Sequence, residues 1–476
     1  MLLINLQIGI ILTILELILI LTLVVSLLLL VLERGDKLIV SMTGAGISIA
    51  LGVLPYWTVG GVANQTLLPE GINSLLSKIE PDLMFIIIGM TLLVGVTAET
   101  GIYELIAIKI IKLSHGNQTK LMLYLSLLSM LFAAFLDAYM AIIIIGTITL
   151  VSANVLFREA DNEPINPKPF LLAEALFANV GGMLTRVASP PNLILGAHFQ
   201  IPFLDFSVAM FPVVVLSAIG TFFILEFFFR KDLHVKISQH SIDQLMNLDE
   251  NNVIRDPKLL RRAIVIILLT IIGFFLSSFA GDIKIELGYI ALAGGFSAVA
   301  LVSGKKPDET LHHIEWSVVF FYAGLLTMVG LVEQAHLLEP LVQPIEYIFD
   351  FNPFVGLGSI VIFNVVISSV LDNIPMAAIM TGVIDGLGKY LGFSLSSSQI
   401  RPMVWAAVIG TNAGGNVTPI ASAAGVQVVQ ILNRERETSR HISFFEFFKI
   451  GVLVAMVPVV IGIAYVILVA KFFYGW

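Results

Sequence analysis

The chain contains one polar motif twice, and each copy lies inside a long apolar stretch. The copies read Asn179-Val-Gly-Gly-Met-Leu-Thr185-Arg-Val-Ala-Ser189 and Asn412-Ala-Gly-Gly-Asn-Val-Thr418-Pro-Ile-Ala-Ser422, one in each half of the chain. A helix that faces lipid avoids such glycines, amides and hydroxyls, because the bilayer interior has no water to bond them. Matching breaks in two halves of a membrane protein are typical of a transporter's binding site. The motif therefore predicts two broken helices inside a membrane.

The composition supports a membrane protein. Hydrophobic residues make up 57% of the chain and charged residues only 13%, whereas soluble domains carry about 25% charged residues. Apolar runs long enough to cross a hydrocarbon core of roughly 30 Å recur, and they predict about ten to twelve crossings. The chain contains 0 cysteines, which excludes disulfides and thiolate metal sites. We find no sequence pattern for an enzyme active site, a cofactor or a nucleic-acid partner, and a lipid bilayer is the expected surroundings.

A polar segment over residues 230–262 divides the chain into two halves. It holds seven of the 26 basic residues, and the positive-inside rule therefore places it in the cytoplasm. We predict a multi-pass protein of a prokaryotic plasma membrane. Its predicted parts are a transmembrane helix over residues 1–36, a first repeat over 37–229, a cytoplasmic linker over 230–262 and a second repeat over 263–476.

Two further matches support an internal repeat. Gly89-Met-Thr-Leu-Leu-Val-Gly95 parallels Gly324-Leu-Leu-Thr-Met-Val-Gly330, and Leu136-Asp137 parallels Leu371-Asp372 with the same offset along the chain. Matches in the same order at a nearly constant offset indicate duplication. The sequence leaves open whether the repeats are parallel or inverted.

Asp137 and Asp372 interrupt apolar stretches. A carboxylate at membrane depth costs several kcal/mol, and it persists where it is paired, neutralised or faces a wet cavity. The short flanking segments predict re-entrant hairpins with an aspartate near each tip. Each aspartate could carry a cation or proton, or it could cap a half-helix by accepting from free main-chain amides.

The duplicated motifs supply neutral oxygen ligands. Paired glycines permit unwound backbone whose carbonyls bind hard cations, while half-helix N-termini attract anions. The alternative is close helix packing through small residues. The candidate ion- or substrate-binding residues are Asp137, Asn179, Gly181, Gly182, Thr185, Arg186, Ser189, Asn192, Asp372, Asn373, Asn412, Gly414, Gly415, Asn416, Thr418 and Ser422, with Na⁺ placed at Asp137, Asn179, Asp372 and Asn412.

Two charged residues near the first motif have open roles. Arg186 stands where the second copy has Pro419, and it could neutralise Asp137 or Asp372, receive an anionic substrate, or extend to the membrane interface. Glu174 precedes the motif and could be a carboxylate that supports the site from behind.

Several motifs carry a family resemblance. They are Ala98-Glu99-Thr-Gly101, Phe135-Leu-Asp137, Ala173-Glu174-Ala-Leu-Phe177-Ala-Asn179-Val-Gly-Gly182, Ser189-Pro-Pro-Asn192, Leu371-Asp-Asn-Ile-Pro375 and Gly415-Asn-Val-Thr-Pro-Ile420. The chain resembles the ion transporter superfamily, in the branch of the arsenite permease ArsB, the NhaD-type sodium/proton antiporters and the melanosomal P protein. The resemblance spans about residues 37–470.

The resemblance implies an all-α polytopic fold with two inverted repeats, re-entrant hairpins and broken helices. It also implies a homodimer in which a transport domain moves against a scaffold, as in an elevator. The hairpin tips fall on Asp137-Ala138-Tyr139 and Asp372-Asn373-Ile374, and the broken helices fall on the duplicated motifs. Two departures are Ala138, where the family has asparagine, and Arg186, where the branch has a small or apolar residue.

Three functions remain open at this point. The first is ion-coupled transport of a small inorganic ion, for which we favour sodium/proton antiport with sodium or protons as the coupling ion. The second is sodium- or proton-coupled transport of an anion, such as an arsenite-like oxyanion or a carboxylate. The third is a membrane scaffold that retains the fold without transport.

Overall fold

The computed structural model describes residues 17–30, 34, 36–58, 81–136, 138–160, 163–247, 250–279, 285–304, 306–335, 337–371, 373–394, 397–434 and 441–476. Within these ranges the chain is helical, and its β-type pairings are isolated bridges that join Phe157 to Pro164 and Arg158 to Ile237. The expected all-α fold is confirmed.

The helices of eight or more residues are numbered in chain order. They are α1 (Leu17–Leu30), α2 (Lys37–Thr58), α3 (Pro81–Ala98), α4 (Ile102–Leu113), α5 (Gln118–Leu136), α6 (Ala138–Val155), α7 (Lys168–Gly181), α8 (Pro190–His198), α9 (Phe203–Phe228), α10 (Gln239–Met246), α11 (Pro257–Ser277), α12 (Leu287–Ala298), α13 (Trp316–Gln334), α14 (Glu339–Phe351), α15 (Pro353–Ser368), α16 (Asn373–Tyr390), α17 (Arg401–Gly414), α18 (Ala423–Asn433) and α19 (Phe444–Phe473). Short helical turns cover Arg230–Leu233, Glu250–Val253, Pro307–Thr310, Leu311–His313 and Ser398–Ile400, and a π-turn over Val299–Ser303 extends α12.

Among the described helices, 6 are long and apolar enough to cross a membrane: α3, α5, α9, α11, α13 and α19. The predicted ten to twelve crossings also include shorter apolar helices, such as α1, α12 and α15, and segments outside the described residues, so the number of crossings stays a prediction. Hydropathy alone does not distinguish a spanning helix from half of a broken one. Helix α7 has 14 residues and α8 has 9. At roughly 1.5 Å per residue, neither spans a hydrocarbon core alone, and the two must follow one another across it.

The helix boundaries reproduce the internal repeat. Helix α6 covers 138–155 and α16 covers 373–390, so both bounds shift by the offset that separates Asp137 from Asp372. Helix α7 covers 168–181 and α17 covers 401–414, and these bounds shift by the offset between the two polar motifs. In both pairs the two helices have equal lengths and a single offset at both ends, which confirms that the matching segments fold alike.

Two helix pairs, α3 with α12 and α13 with α2, pack across the boundary between the repeats. Gly89 of α3 packs on the backbone of Ala291 in α12, and its counterpart Gly324 of α13 packs on the backbone of Ser41 in α2. A side chain at either glycine would collide with that backbone. The α3–α12 and α13–α2 pairs are therefore equivalent contacts in the two halves.

The first hairpin, α5 and α6, has both of its ends beside the linker. Gln118 Nε2 donates to the Val235 carbonyl at 2.9 Å, and the Glu159 amide donates to the Lys236 carbonyl at 2.9 Å. We call this face of the molecule the linker side. The chain therefore enters and leaves this hairpin on one side, as the predicted re-entrant hairpin requires.

The second hairpin, α15 and α16, has its ends on the opposite side. Helix α9 runs 26 residues from Phe203 to the start of the linker, which places its first turn far from the linker. That turn holds Asp205, which pairs with Arg401 at 3.0 Å, where α17 begins. Tyr390, at the end of α16, donates to Asp350 Oδ1 at 2.7 Å, next to the start of α15. The two hairpins enter from opposite faces, so the repeats are inverted.

Candidate functional site

Two breaks separate the half-helices, one over residues 182–189 between α7 and α8 and one over residues 415–422 between α17 and α18. In each break the hairpin of one repeat meets the broken helix of the other, because α8 packs on α16 and α18 packs on α6. Serine lies before each restarting half-helix, at Ser189 and Ser422, with extended backbone. The structure therefore brings both breaks together in the interior, as the duplicated motifs predict.

A cavity of about 700 Å³ lies against both breaks. The first residues of six described helices line it, and four of these helices belong to the hairpins and broken helices: Ala138 of α6, Pro190 of α8, Asn373 of α16 and Ala423 of α18. Each helix N-terminus carries a partial positive charge of roughly half an elementary charge from its unsatisfied amides. Four of them around one cavity create a site suited to an anion.

Amide and hydroxyl groups of the motifs add polar lining. The lining residues among the predicted candidates are Asn179, Gly182, Ser189, Asn373, Asn412 and Ser422. Asn179 and Asn412 are almost fully buried, at 6% and 3% exposed. Amides and hydroxyls carry both donors and acceptors, so the residue types alone do not select the charge of the ligand.

Asn179 and Asn412 cross-link the two breaks in a reciprocal way. Asn179 Nδ2 donates to Ser422 Oγ at 2.9 Å, and Ser189 Oγ donates to Asn412 Oδ1 at 3.3 Å. Asn412 and Ser422 hold the positions in the second motif that Asn179 and Ser189 hold in the first, so the repeat relates the two contacts. This is the signature of a pseudo-twofold axis through the site.

Asn179 makes two further contacts with the second break. Its Nδ2 lies 3.1 Å from the Gly415 carbonyl and 2.9 Å from Asn416 Oδ1. Asn192 plays a similar part in the first break, because its Nδ2 donates to the carbonyls of Gly182 and Thr185 at 2.7 and 2.8 Å. Asn192 and Asn416 therefore stabilise the two breaks through hydrogen bonds within the protein and do not line the cavity.

The threonines and the first glycine of each motif attach the breaks to the hairpins. Thr185 Oγ1 donates to the Ala134 carbonyl at 2.6 Å, and Thr418 Oγ1 donates to the Ser369 carbonyl at 2.7 Å. A Cβ atom on Gly181 would collide with the Met130 carbonyl, and one on Gly414 would lie 2.9 Å from the Val365 carbonyl. These residues hold the geometry, which is the packing role that the sequence left as an alternative.

Asn373 anchors the tip of the second hairpin to the second break. The side-chain amide nitrogen of Asn373 faces the carbonyls of Ala421 and Thr411 and donates to them at 3.1 and 3.2 Å. Its counterpart in the first hairpin is Ala138, which has no amide to offer. The departure from the family pattern therefore makes the two hairpin tips unequal.

Arg186 does not line the cavity. Its Nη2 lies 3.4 Å from Asp82 Oδ2, and its Nη1 lies 3.3 Å from the Ile201 carbonyl, with both charged side chains about nine-tenths buried. Asp82 belongs to the first turn of α3 and also accepts from the Gly288 amide. Arg186 thus links the first break to the α3 and α12 pair on the side opposite the linker.

The two predicted aspartates, Asp137 and Asp372, lie outside the described residues. Their chain neighbours Leu136, Ala138 and Asn373 line the cavity. Among the described residues, no cluster of three or more His, Asp or Glu side chains could hold a metal ion. The placement of Na⁺ at these aspartates stays a prediction.

The sequence pattern of the citrate transporter family, CitMHS, matches residues 27–410 of this chain. The chain belongs to this family. An uncharacterized transporter of Mycobacterium bovis is 30% identical over 433 residues, which cover 91% of this chain and 94% of the relative. The human P protein is 24% identical and covers 85% of this chain, which spans 55% of that protein.

A solved structure shares the fold of this CitMHS-family chain. It is the YdaH transporter of Alcanivorax borkumensis, described as having an unusual topology, and it superimposes with a TM-score of 0.57 over 95% of this chain and 99% of the other at 13% identity. The predicted membership of the ion transporter superfamily and the predicted fold are confirmed. The chain is a membrane transporter.

The structure also adds lining residues that the sequence reasoning missed. Lys37, Glu315, Trp316 and Tyr322 line the same cavity. Lys37 and Glu315 begin or precede helices on the linker side, and burial raises the pKa of Glu315 above its ordinary value. Hydropathy patterns cannot find such residues, because they look like ordinary ends of transmembrane helices.

Proposed function

We propose that this CitMHS-family transporter carries a small carboxylate anion coupled to a cation. The observation that supports this choice is the meeting of four helix N-termini at one cavity. Anions bind at helix N-termini because several main-chain amides and the helix dipole act on them together. The family description, citrate transporter, names a carboxylate of the same class.

The size and polarity of the cavity support a small organic anion. Its volume of about 700 Å³ lies in the range typical of small-molecule sites. Main-chain amides at the half-helix N-termini supply donors for carboxylate oxygens without a permanent charge. The side-chain amides of Asn179, Asn373 and Asn412 already donate to acceptors of the protein and hold the shape of the site. A site of neutral donors binds and releases an anion more readily than one with a buried cation, since it avoids a strong ion pair.

Cation coupling is the second part of the proposal. Asp137 and Asp372 would carry Na⁺ or a proton, with oxygens of Asn179 and Asn412 as neutral ligands. Carboxylate, amide and carbonyl oxygens are the ligands that hard cations prefer. A bound cation would offset the substrate's negative charge, so that the loaded site crosses the membrane at lower cost.

The proposed mechanism is an elevator in a homodimer of the prokaryotic plasma membrane. The hairpins and broken helices of both repeats contact one another reciprocally, which supports their motion as one transport domain. The α2–α13 and α3–α12 pairs would form part of the scaffold. The cavity includes Lys37 and Glu315 from the linker side, so we propose that this conformation faces the cytoplasm.

Uptake by purified protein in proteoliposomes tests the proposal. Labelled citrate and smaller di- and monocarboxylates are offered under an inward Na⁺ gradient, an inward proton gradient, or neither. We expect gradient-driven uptake of at least one carboxylate, lost in Asp137→Asn and Asp372→Asn. Unchanged coupled flux and pH profile in both variants would refute the carboxylate-borne cation.

Sodium/proton antiport is the second candidate. It is favoured by the oxygens of Asn179, Ser189, Asn412 and Ser422 around the two breaks, which also suit a hard cation. A lumenal pH change driven by Na⁺ without any carboxylate would support it over the first candidate. No flux of any ion beside an active control transporter would favour a scaffold role instead.

A further inference from the structure

A second buried carboxylate lies behind the cavity, at Glu174 of α7. Its side chain is 0% exposed. Thr149 Oγ1 of α6 donates to Glu174 Oε1 at 2.6 Å, whereas Glu174 Oε2 has no hydrogen-bond partner among the described residues. The Thr149 hydroxyl is thus the one hydrogen-bond partner of this carboxyl group within the described chain.

No described cation compensates Glu174. Six helices pack against α7: α5, α6, α9, α17, α18 and α19. The other ionisable residues on α7 and on those six helices are Lys120, Tyr124, Tyr139, Lys168, Asp205, Glu226, Arg401, Glu446, Lys449, Tyr465 and Lys471. Within the described chain, none of them forms an ion pair or a hydrogen bond with Glu174. Lys168, at the start of α7, instead pairs with Glu446 at 2.9 Å. An ionised, uncompensated carboxylate in an apolar interior costs several kcal/mol, so the neutral form is the one this packing accommodates.

The repeat shows that the fold does not need this carboxyl group. When the two polar motifs are aligned, the position equivalent to Glu174 is Ala407. When the two hairpins are aligned, the position equivalent to Thr149 is Ile384, and both Ala407 and Ile384 are 0% exposed. Alanine and isoleucine therefore fill the same helix contact in the second repeat. A Glu–Thr pair in the first repeat adds chemistry that packing does not require.

The pair also joins the first hairpin to the first broken helix near the cavity. Helix α6 begins at the cavity with Ala138, and α7 ends at it with Asn179 and Gly182. We propose that Glu174 is a proton-binding site, loaded while α6 and α7 are packed together and unloaded when the hairpin moves and water reaches the carboxyl group. Proton binding thereby favours this conformation and couples the proton to the transport cycle. The coupling of the proton to transport rests on the proposed function, whereas proton binding at Glu174 does not.

The first test reads the proton itself and needs no substrate. Infrared spectra of the reconstituted protein are recorded across a pH series for wild type, Glu174→Gln and the control Glu286→Gln, an exposed carboxyl group before α12. We expect a protonated-carboxyl carbonyl band at neutral pH that Glu174→Gln removes and Glu286→Gln keeps. Thr149→Val should shift this band, which assigns it even if Glu174→Gln folds poorly. A band unaffected by Glu174→Gln or unshifted by Thr149→Val overturns the site.

The second test asks whether the proton on Glu174 is coupled to substrate uptake. In proteoliposomes, we expect the maximal uptake rate of the wild type to fall by up to about tenfold per pH unit above the point where the site loses its proton, the limit for one titrating group. Glu174→Gln, which mimics the loaded form, should lose this fall, and its remaining uptake should no longer respond to an imposed proton gradient. If the band is lost but the pH profile is unchanged, the proton is bound without coupling and that half of the inference fails. If wild type takes up no carboxylate, the proposed function fails while the infrared result still decides the site.

Discussion

At the scale of single residues, the site depends on amides that have more acceptors than hydrogens. Asn179 Nδ2 has two hydrogens and lies within hydrogen-bond distance of Ser422 Oγ, Asn416 Oδ1 and the Gly415 carbonyl. All three acceptors belong to the other repeat. The N–H groups of Asn179 therefore hold the first break against the second through hydrogen bonds.

The first prediction concerns that donor. Asn179→Ala should lower the free energy of unfolding by about 1–3 kcal/mol, because buried acceptors lose their partner. Asn179→Asp should be worse than alanine at neutral pH, since a carboxylate only accepts and would face the Gly415 carbonyl and Asn416 Oδ1, two oxygens that cannot donate. Thermal unfolding in detergent measures both, with Thr22→Ala in α1, away from the site, as the control. Equal stability of wild type and Asn179→Asp would contradict the contact set.

The second prediction concerns Glu315 at the linker side of the cavity. Burial raises its pKa in the folded chain, so between the unfolded and folded pKa values the folded state binds more protons. Stability that depends on Glu315 must then fall as pH rises through that interval. The melting temperature of Glu315→Gln should exceed that of wild type by an increasing margin toward higher pH, and the two should converge in acid. A margin that shrinks with rising pH would have the wrong sign.

At the scale of helices, the breaks are connected to the rest of the molecule by few polar links. The Arg186–Asp82 pair joins the first break to α3 at 3.4 Å with both side chains about nine-tenths buried. The second break has Pro419 at the equivalent position, so this connection exists in one repeat alone. It lies opposite the linker, where the described cavity lining does not reach.

The third prediction separates the roles of Arg186. Arg186→Leu and Asp82→Asn should each cost about 3–5 kcal/mol of unfolding free energy, because each leaves a buried partner uncompensated. The double variant should cost less than the sum, by about 0.5–3 kcal/mol. Uptake should show an altered maximal rate with a KM close to wild type. A KM raised more than tenfold in Arg186→Leu alone would restore the anion-receptor hypothesis.

At the scale of the whole molecule, the two repeats are inverted, so the two copies of the motif are paired with hairpins that enter from opposite faces of the membrane. The base of the first hairpin contacts the linker, and the base of the second lies with Tyr390 and Asp350 on the other face. Two copies of the same half-helix pair then meet head to head around one cavity. Under the proposed elevator mechanism, the two hairpins would be exposed in turn, one on each face of the membrane.

The fourth prediction tests this topology directly. The native chain has 0 cysteines, so single cysteines can be labelled without background. Gln244→Cys on α10 and Ser394→Cys after α16 are both exposed positions. In right-side-out vesicles, a membrane-impermeant maleimide should label Ser394→Cys and spare Gln244→Cys until the vesicles are permeabilised. Labelling of both from the same side would refute the inverted arrangement.

Much of the architecture was readable from the sequence because it depends on local properties. Hydropathy determines which segments enter the membrane, and glycine, proline and serine determine where α7 and α17 must stop. The nearly constant offset between matching motifs predicted the repeat, and the helix bounds reproduce it. Asn179, Asn373, Asn412, Ser189 and Ser422 were placed in one site for the same reason.

Only the tertiary structure decided how these pieces face one another. Nothing local in Arg186 indicates that its partner is Asp82, 104 residues earlier, and nothing in the motif indicates that Asn179 bonds the opposite break. Thr185 and Thr418 proved to be tethers, since their hydroxyls reach main-chain carbonyls of the hairpins. Periodicity and composition describe each helix against its solvent, whereas orientation and partner choice arise when the two repeats pack.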